Sequence, residues 1–289
     1  MNHLLGAQFQ STILDATGAS GLQVKGVIQA LWSGYGQILR ISLTGGNRDT
    51  VVAKHVAMPF GQSHPRGWNS NLSHERKVFS YQVETEWYRS WSSRCDDRCR
   101  IPGFLTFARD RGNVLLVLED LDASGFPARL SRVRQEQIEL CLTWLAEFHA
   151  TFMGVEPQGL WNTGTYWHLE TRPEELDALE DEPLKRAAAA IDHKLSAARF
   201  QSLVHGDAKL ANFCFSSAAD RVATLDFQDV GGGCGMKDVA YFLGSCLDEA
   251  GCERQEPALL DFYFRKLDAG LRNRQPQLDP AAVITEWRE

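Results

Sequence analysis

Two short polar segments, each directly after a mainly apolar run, constrain the fold of this chain more than any other feature. Residues 205–212 (HGDAKLAN) follow the run 202–204 (SLV), and residues 226–228 (DFQ) follow the run 222–225 (VATL). Short apolar runs bounded by polar residues are typical of buried strands. We therefore expect each polar segment to form a loop at the end of a buried strand, and the two loops to converge.

The residue types in these segments are those that phosphoryl transfer to a hydroxyl group requires. A carboxylate must orient the attacking oxygen and accept its proton, and hard oxygen ligands must hold Mg²⁺ against the phosphates. Asp207 suits the first role, and Asn212 and Asp226 suit the second. An isolated polar turn with an aspartate often only caps a helix or closes a turn. The ordered spacing of all three residues favours the catalytic interpretation.

The two segments resemble the loops of the aminoglycoside phosphotransferase and choline kinase superfamily. The likeness is strongest to its ecdysteroid-kinase-like (CHK kinase-like) branch, whose loops read HGD, then Asn, then DFQ, so that Gln228 carries the finer assignment. The resemblance implies that His205, which we include in the catalytic site, orients the loop by hydrogen bonds. It also implies that Asp238 braces the catalytic loop. The alternative role of Asp238 is local, because an aspartate near a helix start can satisfy free N–H groups there.

The resemblance implies an α+β protein with the bilobal protein-kinase-like fold. A strand-rich N-terminal lobe with one main helix would bind the nucleotide (residues 1–118), and a hinge would follow (119–122). A larger helical C-terminal lobe would carry the catalytic and acceptor-binding residues (123–289). The apolar pattern agrees with this division, because short apolar runs dominate the first part and residues 135–152 have the apolar spacing of a core helix.

The first part of the chain supplies a lysine and an acid in the expected order. Lys54 lies in the β-branched run 50–56 (TVVAKHV), which resembles the kinase strand whose lysine holds the α- and β-phosphates of ATP. The helical segment 78–88 resembles the helix that supplies the partner of this lysine. Glu84 is the expected partner, and Glu86 is the competing choice because the two acids lie on different faces of the helix.

Two further nucleotide contacts are expected. Gly34 and Gly36 lie between two apolar segments, where a glycine turn could let backbone N–H groups approach phosphates or could simply close a hairpin. The run 113–121 has the pattern of a buried strand that ends in acids. The resemblance implies that this strand enters the hinge, where the backbone of Glu119 and Leu121 would bind the adenine edge.

Composition sets limits on partners and location. The chain has 289 residues, a formal net charge of −7 and a pI near 5.7, which disfavours nucleic acid as a partner. No apolar run reaches the roughly 20 residues that a membrane span needs, and the N-terminus has no signal-peptide pattern, so we expect a cytoplasmic protein without a membrane partner. The seven scattered cysteines favour reduced thiols.

The acceptor is less constrained by the sequence. Trp161 and Trp167 lie where the superfamily often builds its acceptor pocket, and indole faces can bind cationic groups, although packing is the usual role of an aromatic side chain. Residues 58–74, with several glycines and prolines, are predicted to form a loop. The acceptor is expected to be a small-molecule hydroxyl compound, such as an amino alcohol, an aminoglycoside-like sugar or a sterol-like alcohol.

The sequence therefore predicts an ATP- and Mg²⁺-dependent small-molecule phosphotransferase. One alternative is a nucleotide-binding scaffold without turnover, since intact motifs do not prove catalysis. A second alternative is an atypical protein kinase, but the interval from Asp226 to Asp238, where such a kinase has its activation segment, is very short, which counts against it.

Overall fold

The computed structural model of the chain describes residues 4–31, 34–57, 71–165, 168–171 and 173–289. The chain divides into two compact units, the first formed by Met1–Ser92 with Pro102–Pro127 and the second by Ser93–Ile101 with Ala128–Glu289. The architecture is the expected mixture of a strand-rich unit and a helical unit, so the α+β prediction is confirmed.

The first unit is built on a five-stranded antiparallel sheet with the strand order β1-β2-β3-β5-β4. Its strands are β1 (Gly21–Ala30), β2 (Gly36–Thr44), β3 (Thr50–Val56), β4 (Phe104–Asp110) and β5 (Asn113–Glu119). Each connection joins sequential neighbours except the one from β3 to β4, which contains the helix α2 (Asn71–Glu86). That helix is the one that the sequence predicted in this part of the chain.

A second helix, α1 (Ala7–Thr17), covers one face of the sheet and was not expected. Its buried residues Phe9 and Ile13 pack with the alternating buried side chains of the strands, such as Leu39 and Ile41 of β2. Alternation along a strand sends successive side chains to opposite faces. Lys54 of β3, which follows the core residue Ala53, is therefore on the other face.

The second unit is mainly helical. Its helices are α3 (Gln135–Phe152), α4 (Pro173–Asp177), α5 (Glu182–Ser196), α6 (Met236–Cys246), α7 (Glu249–Arg274) and α8 (Pro280–Arg288). The bounds of α3 are those that the apolar spacing predicted. Three of the helices, α5, α7 and α8, begin after an aspartate whose carboxylate accepts a hydrogen bond from a backbone N–H of the first turn. These aspartates are Asp181, Asp248 and Asp279, respectively. None of the helices in the described ranges has the length and apolar character required to cross a membrane.

Two small antiparallel sheets determine where the two polar segments lie in the second unit. Strand β6 (Ser202–Val204) pairs with β9 (Gly231–Gly233), and β7 (Phe213–Phe215) pairs with β8 (Val222–Thr224). Because β6 leads into residues 205–212 and β8 leads into residues 225–228, these pairings carry both polar segments to the same region of this unit.

The segment Ser93–Ile101 belongs to the second unit, whereas the sequence placed it in the first lobe. The carbonyl oxygen of Arg100 accepts hydrogen bonds from the Trp144 indole N–H at 3.0 Å and from the Thr224 backbone N–H at 3.0 Å. The Asp96 carboxylate also binds the Arg274 guanidinium at 2.9 Å. These contacts come from residues 44 to 178 positions away in the chain, so no local pattern could have revealed them.

The loop expected over residues 58–74 falls mostly outside the described residues. Where the description resumes, the chain is already helical from Asn71. Residues 71–74 of the predicted loop therefore belong to this helix instead.

Candidate active site

The two polar segments meet in the second unit, as the sequence predicted. The backbone N–H of Leu225 donates to the carbonyl oxygen of Asn212 at 3.1 Å. The His205 ring Nε2 donates to the carbonyl oxygen of Leu225 at 3.1 Å. The residue directly before Asp226 is thus bonded to both ends of the segment 205–212.

The two carboxylate oxygens of Asp207 have different surroundings. Oδ2 accepts hydrogen bonds from the Asn212 side-chain amide at 2.9 Å and from the Lys209 ammonium at 2.7 Å. Oδ1 is buried and has no hydrogen-bond partner among the described residues. A buried polar atom without a partner is costly in a folded protein. Such an atom is therefore a natural position for a ligand that donates a hydrogen bond.

Lys209 is a functional candidate that the sequence reasoning did not select. It lies two residues after Asp207, and its side chain is 40% exposed, so that the ammonium can reach solvent or a ligand. Burial lowers the pKa of Lys209, but the hydrogen bond and the charge of Asp207 outweigh this effect and the pKa lies above its ordinary value. The side chain is therefore a fixed positive charge at neutral pH. Its position inside the HGDAKLAN segment was the available signal.

Asp226 and Asn212 carry oxygen atoms of the kind that Mg²⁺ prefers. The amide nitrogen of Asn212 is committed to Asp207, with hydrogen bonds to the backbone oxygen at 2.8 Å and to Oδ2 at 2.9 Å. The amide oxygen of Asn212 accepts no hydrogen bond from the described part of the chain, so it is available as a ligand. This donor set fits a Mg²⁺ ion whose other ligands are phosphate and water oxygens. The described residues contain no cluster of three or more His, Cys, Asp or Glu side chains suited to a metal.

The backbone of Asp226 is strained. Its φ angle is +69°, in the left-handed region, which costs a non-glycine residue roughly 1–2 kcal/mol. The side-chain amide of Gln228 donates to Asp226 Oδ1 at 2.6 Å. Strain of this kind persists only where surrounding contacts hold the residue in place.

Asp238 holds the start of the loop formed by residues 205–212, the proposed catalytic loop, in place. Its carboxylate accepts hydrogen bonds from the backbone N–H groups of His205 at 2.6 Å and Gly206 at 2.9 Å, and from the His149 ring at 3.1 Å. It lies in the first turn of α6, but its side-chain partners are in the loop and in α3. The bracing role that the resemblance implied for Asp238 thus agrees with its contacts.

The pKa of Asp238 follows from these contacts. Complete burial would raise it, but the hydrogen bond from His149, the nearby rings of His149 and His205 and the Gly206 N–H outweigh burial, and the pKa lies below its ordinary value. Asp238 is therefore ionised at neutral pH. It supplies a buried negative charge that orients the loop.

The chain of buried hydrogen bonds extends to the long helix α7. Tyr263 bonds Nδ1 of His149 at 2.8 Å, and burial raises the pKa of Tyr263 well above its ordinary value. The tyrosine therefore stays protonated and donates to Nδ1, while Nε2–H of His149 donates to Asp238. His149 is fully buried, as expected for a packed helix residue, but it also links α7 to the catalytic loop.

Gly206 fits the loop because no side chain is tolerated there. Its φ angle is +82°, and a Cβ atom at this position would lie 2.1 Å from the carbonyl oxygen of Asp229. A glycine is needed where the backbone takes a positive φ and approaches another segment closely. The HGD sequence is thus explained at all three positions: His205 and Gly206 shape the loop, and Asp207 presents the carboxylate.

The first unit contains the expected lysine-glutamate pair. The ammonium of Lys54 lies 2.5 Å from Oε2 of Glu84, and the two side chains are only 7% and 4% exposed. The pair joins β3 to α2 and therefore resolves the choice between Glu84 and Glu86. A buried ion pair is a weak contribution to stability on its own, because desolvation offsets much of the attraction.

The glycine pair lies in the turn between β1 and β2. Gly36 begins β2 with φ +125°, and a Cβ atom there would lie 2.0 Å from the carbonyl oxygen of His55. Gly34 has φ +76° and its N–H donates to the carbonyl oxygen of Leu31 at 3.3 Å. These contacts favour the hairpin explanation for both glycines. Ser33, directly before Gly34, is outside the described residues.

The expected adenine contacts, Glu119 at the end of β5 and Leu121 after it, differ in the hydrogen bonds that their backbone groups make. Both the N–H and the carboxylate of Glu119 bind Gly103, at 2.9 Å and 2.8 Å. The Leu121 carbonyl oxygen accepts from Phe126 N–H at 2.8 Å, whereas its own N–H forms no hydrogen bond within the described ranges. Among the described residues, the N–H of Leu121 is therefore a backbone donor of this segment that is open to a ligand.

An arginine fixes this segment in place. Arg40 of β2 forms ion pairs with the carboxylates of Asp120, at 2.9 Å, and Asp122. No local pattern indicated this contact, because Arg40 and Asp120 are 80 residues apart.

The aromatic residues of the expected acceptor region are only partly described. The indole N–H of Trp161 donates to the carbonyl oxygen of Gln228 at 2.8 Å, and its backbone N–H donates to Val230 at 3.2 Å. Trp161 is therefore bonded to the segment that follows Asp226. Trp167 lies outside the described residues.

A sheet-based unit with a buried lysine-glutamate pair and a helical unit with these two loops define a kinase-like phosphotransferase. Comparison with known proteins supports this assignment to the phosphotransferases. The model of the phosphotransferase enzyme family matches residues 99–276, which is more than half of the chain. The chain belongs to this phosphotransferase family.

Solved structures show the same fold at low sequence identity. The chain is similar to an aminoglycoside-3'-phosphotransferase of type VIII, with 16% identity, 98% of each chain covered and a TM-score of 0.52. It is also similar to the aminoglycoside phosphotransferase APH(3'')-Id from Streptomyces rimosus in complex with ADP and streptomycin, with 14% identity, 98% of each chain covered and a TM-score of 0.52. No curated protein matches the chain.

Proposed function

We propose that this protein transfers the γ-phosphate of ATP to a hydroxyl group of a small molecule, with Asp207 as the base. The observation that carries the proposal is the state of the Asp207 carboxylate. One oxygen is held by Asn212 and Lys209, and the other is buried without a partner among the described residues. The hydroxyl group of the acceptor would donate the hydrogen bond that this second oxygen lacks.

The proposed reaction uses Asp207 to orient the acceptor. The acceptor hydroxyl donates to Oδ1, which directs its oxygen lone pair toward the γ-phosphorus. As the new P–O bond forms, the bond between the γ-phosphorus and the β,γ-bridging oxygen breaks, ADP leaves, and the hydroxyl proton passes to Asp207. Positioning of this kind can supply a large part of the rate enhancement.

Charge near the transferred group comes from the same loop. Lys209 is positively charged and held beside Asp207, so it can bind an oxygen of the transferred phosphoryl group. Asn212 and Asp226 would hold Mg²⁺, which when bound neutralises phosphate charge. The support for these roles is the geometry of the donors: the Asn212 amide oxygen is free of hydrogen bonds within the described chain, and Asp226 is held in a strained backbone conformation.

The nucleotide contacts proposed for the first unit are Lys54 on the phosphates, with Glu84 positioning it, and the backbone of Glu119 and Leu121 on adenine. The buried Lys54–Glu84 pair and the Leu121 N–H, which has no partner among the described residues, support these roles. A phosphate role for the backbone of Gly34 and Gly36 has less support, because their contacts are those of a hairpin. The ADP in the complex of the Streptomyces rimosus protein supports ATP as the donor.

The acceptor class is proposed from the fold and the sequence together. An amino alcohol, an aminoglycoside-like sugar or a sterol-like alcohol fits a hydroxyl acceptor, and the streptomycin bound to the Streptomyces rimosus protein supports the second of these. The finer proposal, membership of the ecdysteroid-kinase-like branch, rests on Gln228 in the DFQ segment. Of the two tryptophans expected near the acceptor, only Trp161 lies in the described part of the chain. We propose that it contacts the acceptor, because its indole N–H donates to the Gln228 backbone.

A screen with ATP, Mg²⁺ and a library of hydroxyl metabolites tests the proposal. The library should contain amino alcohols, aminoglycosides and sterols in separate pools, and products should be detected by the mass of an added phosphoryl group. We expect a phosphorylated product from one pool, and none from the Asp207→Ala variant. Binding of ATP by both proteins without any product from any pool would favour a nucleotide-binding scaffold instead.

A further inference from the structure

Gln228 is a buried amide in direct contact with a proposed metal ligand. Its side chain is 8% exposed, and its amide nitrogen donates to Oδ1 of Asp226 at 2.6 Å. Its own backbone is tethered in turn, since its carbonyl oxygen accepts the Trp161 indole N–H at 2.8 Å. The amide is thus fixed at both its backbone and its side-chain end.

The chemistry of a neutral donor suits a metal-ligating carboxylate. A carboxylate that accepts from a cation would lose much of its negative potential, whereas an amide donor fixes the orientation of the carboxylate and leaves its charge in place. Partners that orient metal ligands typically alter metal affinity or activity by about 10- to 100-fold when they are removed. The φ angle of Asp226, +69°, lies in the left-handed region, which an aspartate adopts at a modest cost when surrounding contacts hold the residue in place.

We propose that Gln228 is a positioning residue that fixes the Asp226 carboxylate for a divalent cation. The inference rests on the proposed function, because it takes Asp226 as a metal ligand of a nucleotide-dependent enzyme. It goes beyond that function by assigning the strength of cation binding to a residue that does not touch the cation. Gln228 acts on cation affinity, and Asp207 and Lys209 act on the transfer step.

The first test measures Mn²⁺ binding directly, by the loss of the free-ion electron paramagnetic resonance signal in the presence of a non-hydrolysable ATP analogue. The variant is Gln228→Met, which keeps the length of the side chain and removes the donor. We expect Mn²⁺ to bind the variant about 10- to 100-fold more weakly than the wild type. The matched control is Gln201→Met, because the Gln201 amide donates to two backbone oxygens of the same unit, at 2.7 Å and 3.1 Å, away from the two loops.

A second variant separates positioning from packing. Gln228→Asn keeps the amide but is one methylene shorter, so it cannot reach Asp226 from the same backbone position. It should weaken Mn²⁺ binding as Gln228→Met does. In the enzyme assay, both variants should require more Mg²⁺ for half-maximal rate, and a kcat close to that of the wild type should return at saturating Mg²⁺.

The outcomes are distinct. Weaker Mn²⁺ binding in both Gln228 variants, with the control unchanged, supports the inference. Wild-type Mn²⁺ affinity in either folded Gln228 variant, or a loss of kcat that Mg²⁺ does not restore, would overturn it while leaving the proposed function intact. If the wild type itself binds neither Mn²⁺ nor nucleotide, the proposed function fails and this inference fails with it.

Discussion

The carboxylate of Asp207 shows how much of the site depends on single contacts. Asn212 and Lys209 both reach the same oxygen, and the other oxygen, which has no partner among the described residues, is the one we propose for the acceptor. The sequence identified Asp207 and Asn212 from their spacing. It did not identify Lys209, because a lysine in a polar loop is usually a solvated residue and only its distance of 2.7 Å from Asp207 distinguishes it.

Replacement of Lys209 tests the charge beside the transferred phosphoryl group. We expect Lys209→Met to lower kcat by about 100-fold, the typical effect of removing one preorganised group that stabilises the transition state. Nucleotide affinity should change much less than kcat. Steady-state kinetics with varied ATP measures both, and the control is Lys185→Met, because the ammonium of Lys185 bonds the Asp177 carbonyl oxygen at an exposed position. A full kcat in Lys209→Met would contradict the role.

Replacement of Asp238 tests the support of the catalytic loop. Asp238→Asn places an amide where three donors now converge, so we expect a loss of roughly 1–3 kcal/mol in the free energy of unfolding, the usual cost of leaving a buried donor unsatisfied. Denaturant unfolding measures this loss. Asp268→Asn is the control, because its ion pair with Arg272 lies at the surface and contributes little.

The pH dependence of stability provides an independent check on Asp238. Its pKa is lower in the folded protein than in the unfolded chain. Its contribution to stability is therefore fully present above the unfolded pKa of about 4 and is lost as the pH falls through the folded pKa. The wild type should lose this contribution below about pH 4, whereas Asp238→Asn should lack it at every pH. Equal acid profiles for the two proteins would argue against a buried, ionised Asp238.

At the scale of elements, the catalytic loop depends on one glycine. Gly206→Ala introduces a Cβ atom where the carbonyl oxygen of Asp229 lies 2.1 Å away and where φ is +82°. We expect the free energy of unfolding to fall by about 2 kcal/mol or more, since the φ angle alone costs roughly 1–2 kcal/mol, and activity to fall with it. The control is Gly244→Ala in α6, where the added atom has no neighbour within 4 Å and should stabilise the helix by about 0.5–1 kcal/mol. Chemical denaturation of both variants makes the comparison.

The sequence predicted some elements well and missed others for identifiable reasons. The helix α3 was predicted at its observed bounds because it is long and its apolar residues repeat at helical spacing. The helix α1 was missed because it has 11 residues, of which only Phe9, Ile13 and Thr17 are buried. Its role as the cover of a sheet face is a tertiary property, which a local pattern does not carry.

At the scale of the whole molecule, nucleotide binding should appear as added stability. A ligand that binds only the folded protein stabilises it by about 2.7 kcal/mol when present at 100 times its Kd. We expect Mg²⁺ with a non-hydrolysable ATP analogue to raise the thermal midpoint. The double variant Lys54→Met/Glu84→Gln should show a smaller rise, since it removes the proposed phosphate contact without leaving Glu84 as a buried unpaired charge. An equal rise in the two proteins would contradict the role of Lys54.

The contacts that the sequence could not supply are those between distant residues. His149 and Asp238 are 89 residues apart, and His149 and Tyr263 are 114 apart. Each residue has an ordinary local role in its own helix, so nothing nearby indicates the chain of hydrogen bonds that they form together. The motifs thus indicated the segment 205–212 as a candidate, and the fold supplies the contacts that hold it.

The most direct test of the account compares transfer and binding in Asp207→Asn. The account predicts that phosphoryl transfer to the identified acceptor falls by about 100- to 10,000-fold, the range of a lost general base, while the affinity for Mg²⁺ and nucleotide stays within about threefold of the wild type. Asp220→Asn, in which the altered carboxylate bonds Ser216 instead, should leave both quantities unchanged. Transfer at the wild-type rate in Asp207→Asn would contradict the central claim that this carboxylate orients the acceptor hydroxyl.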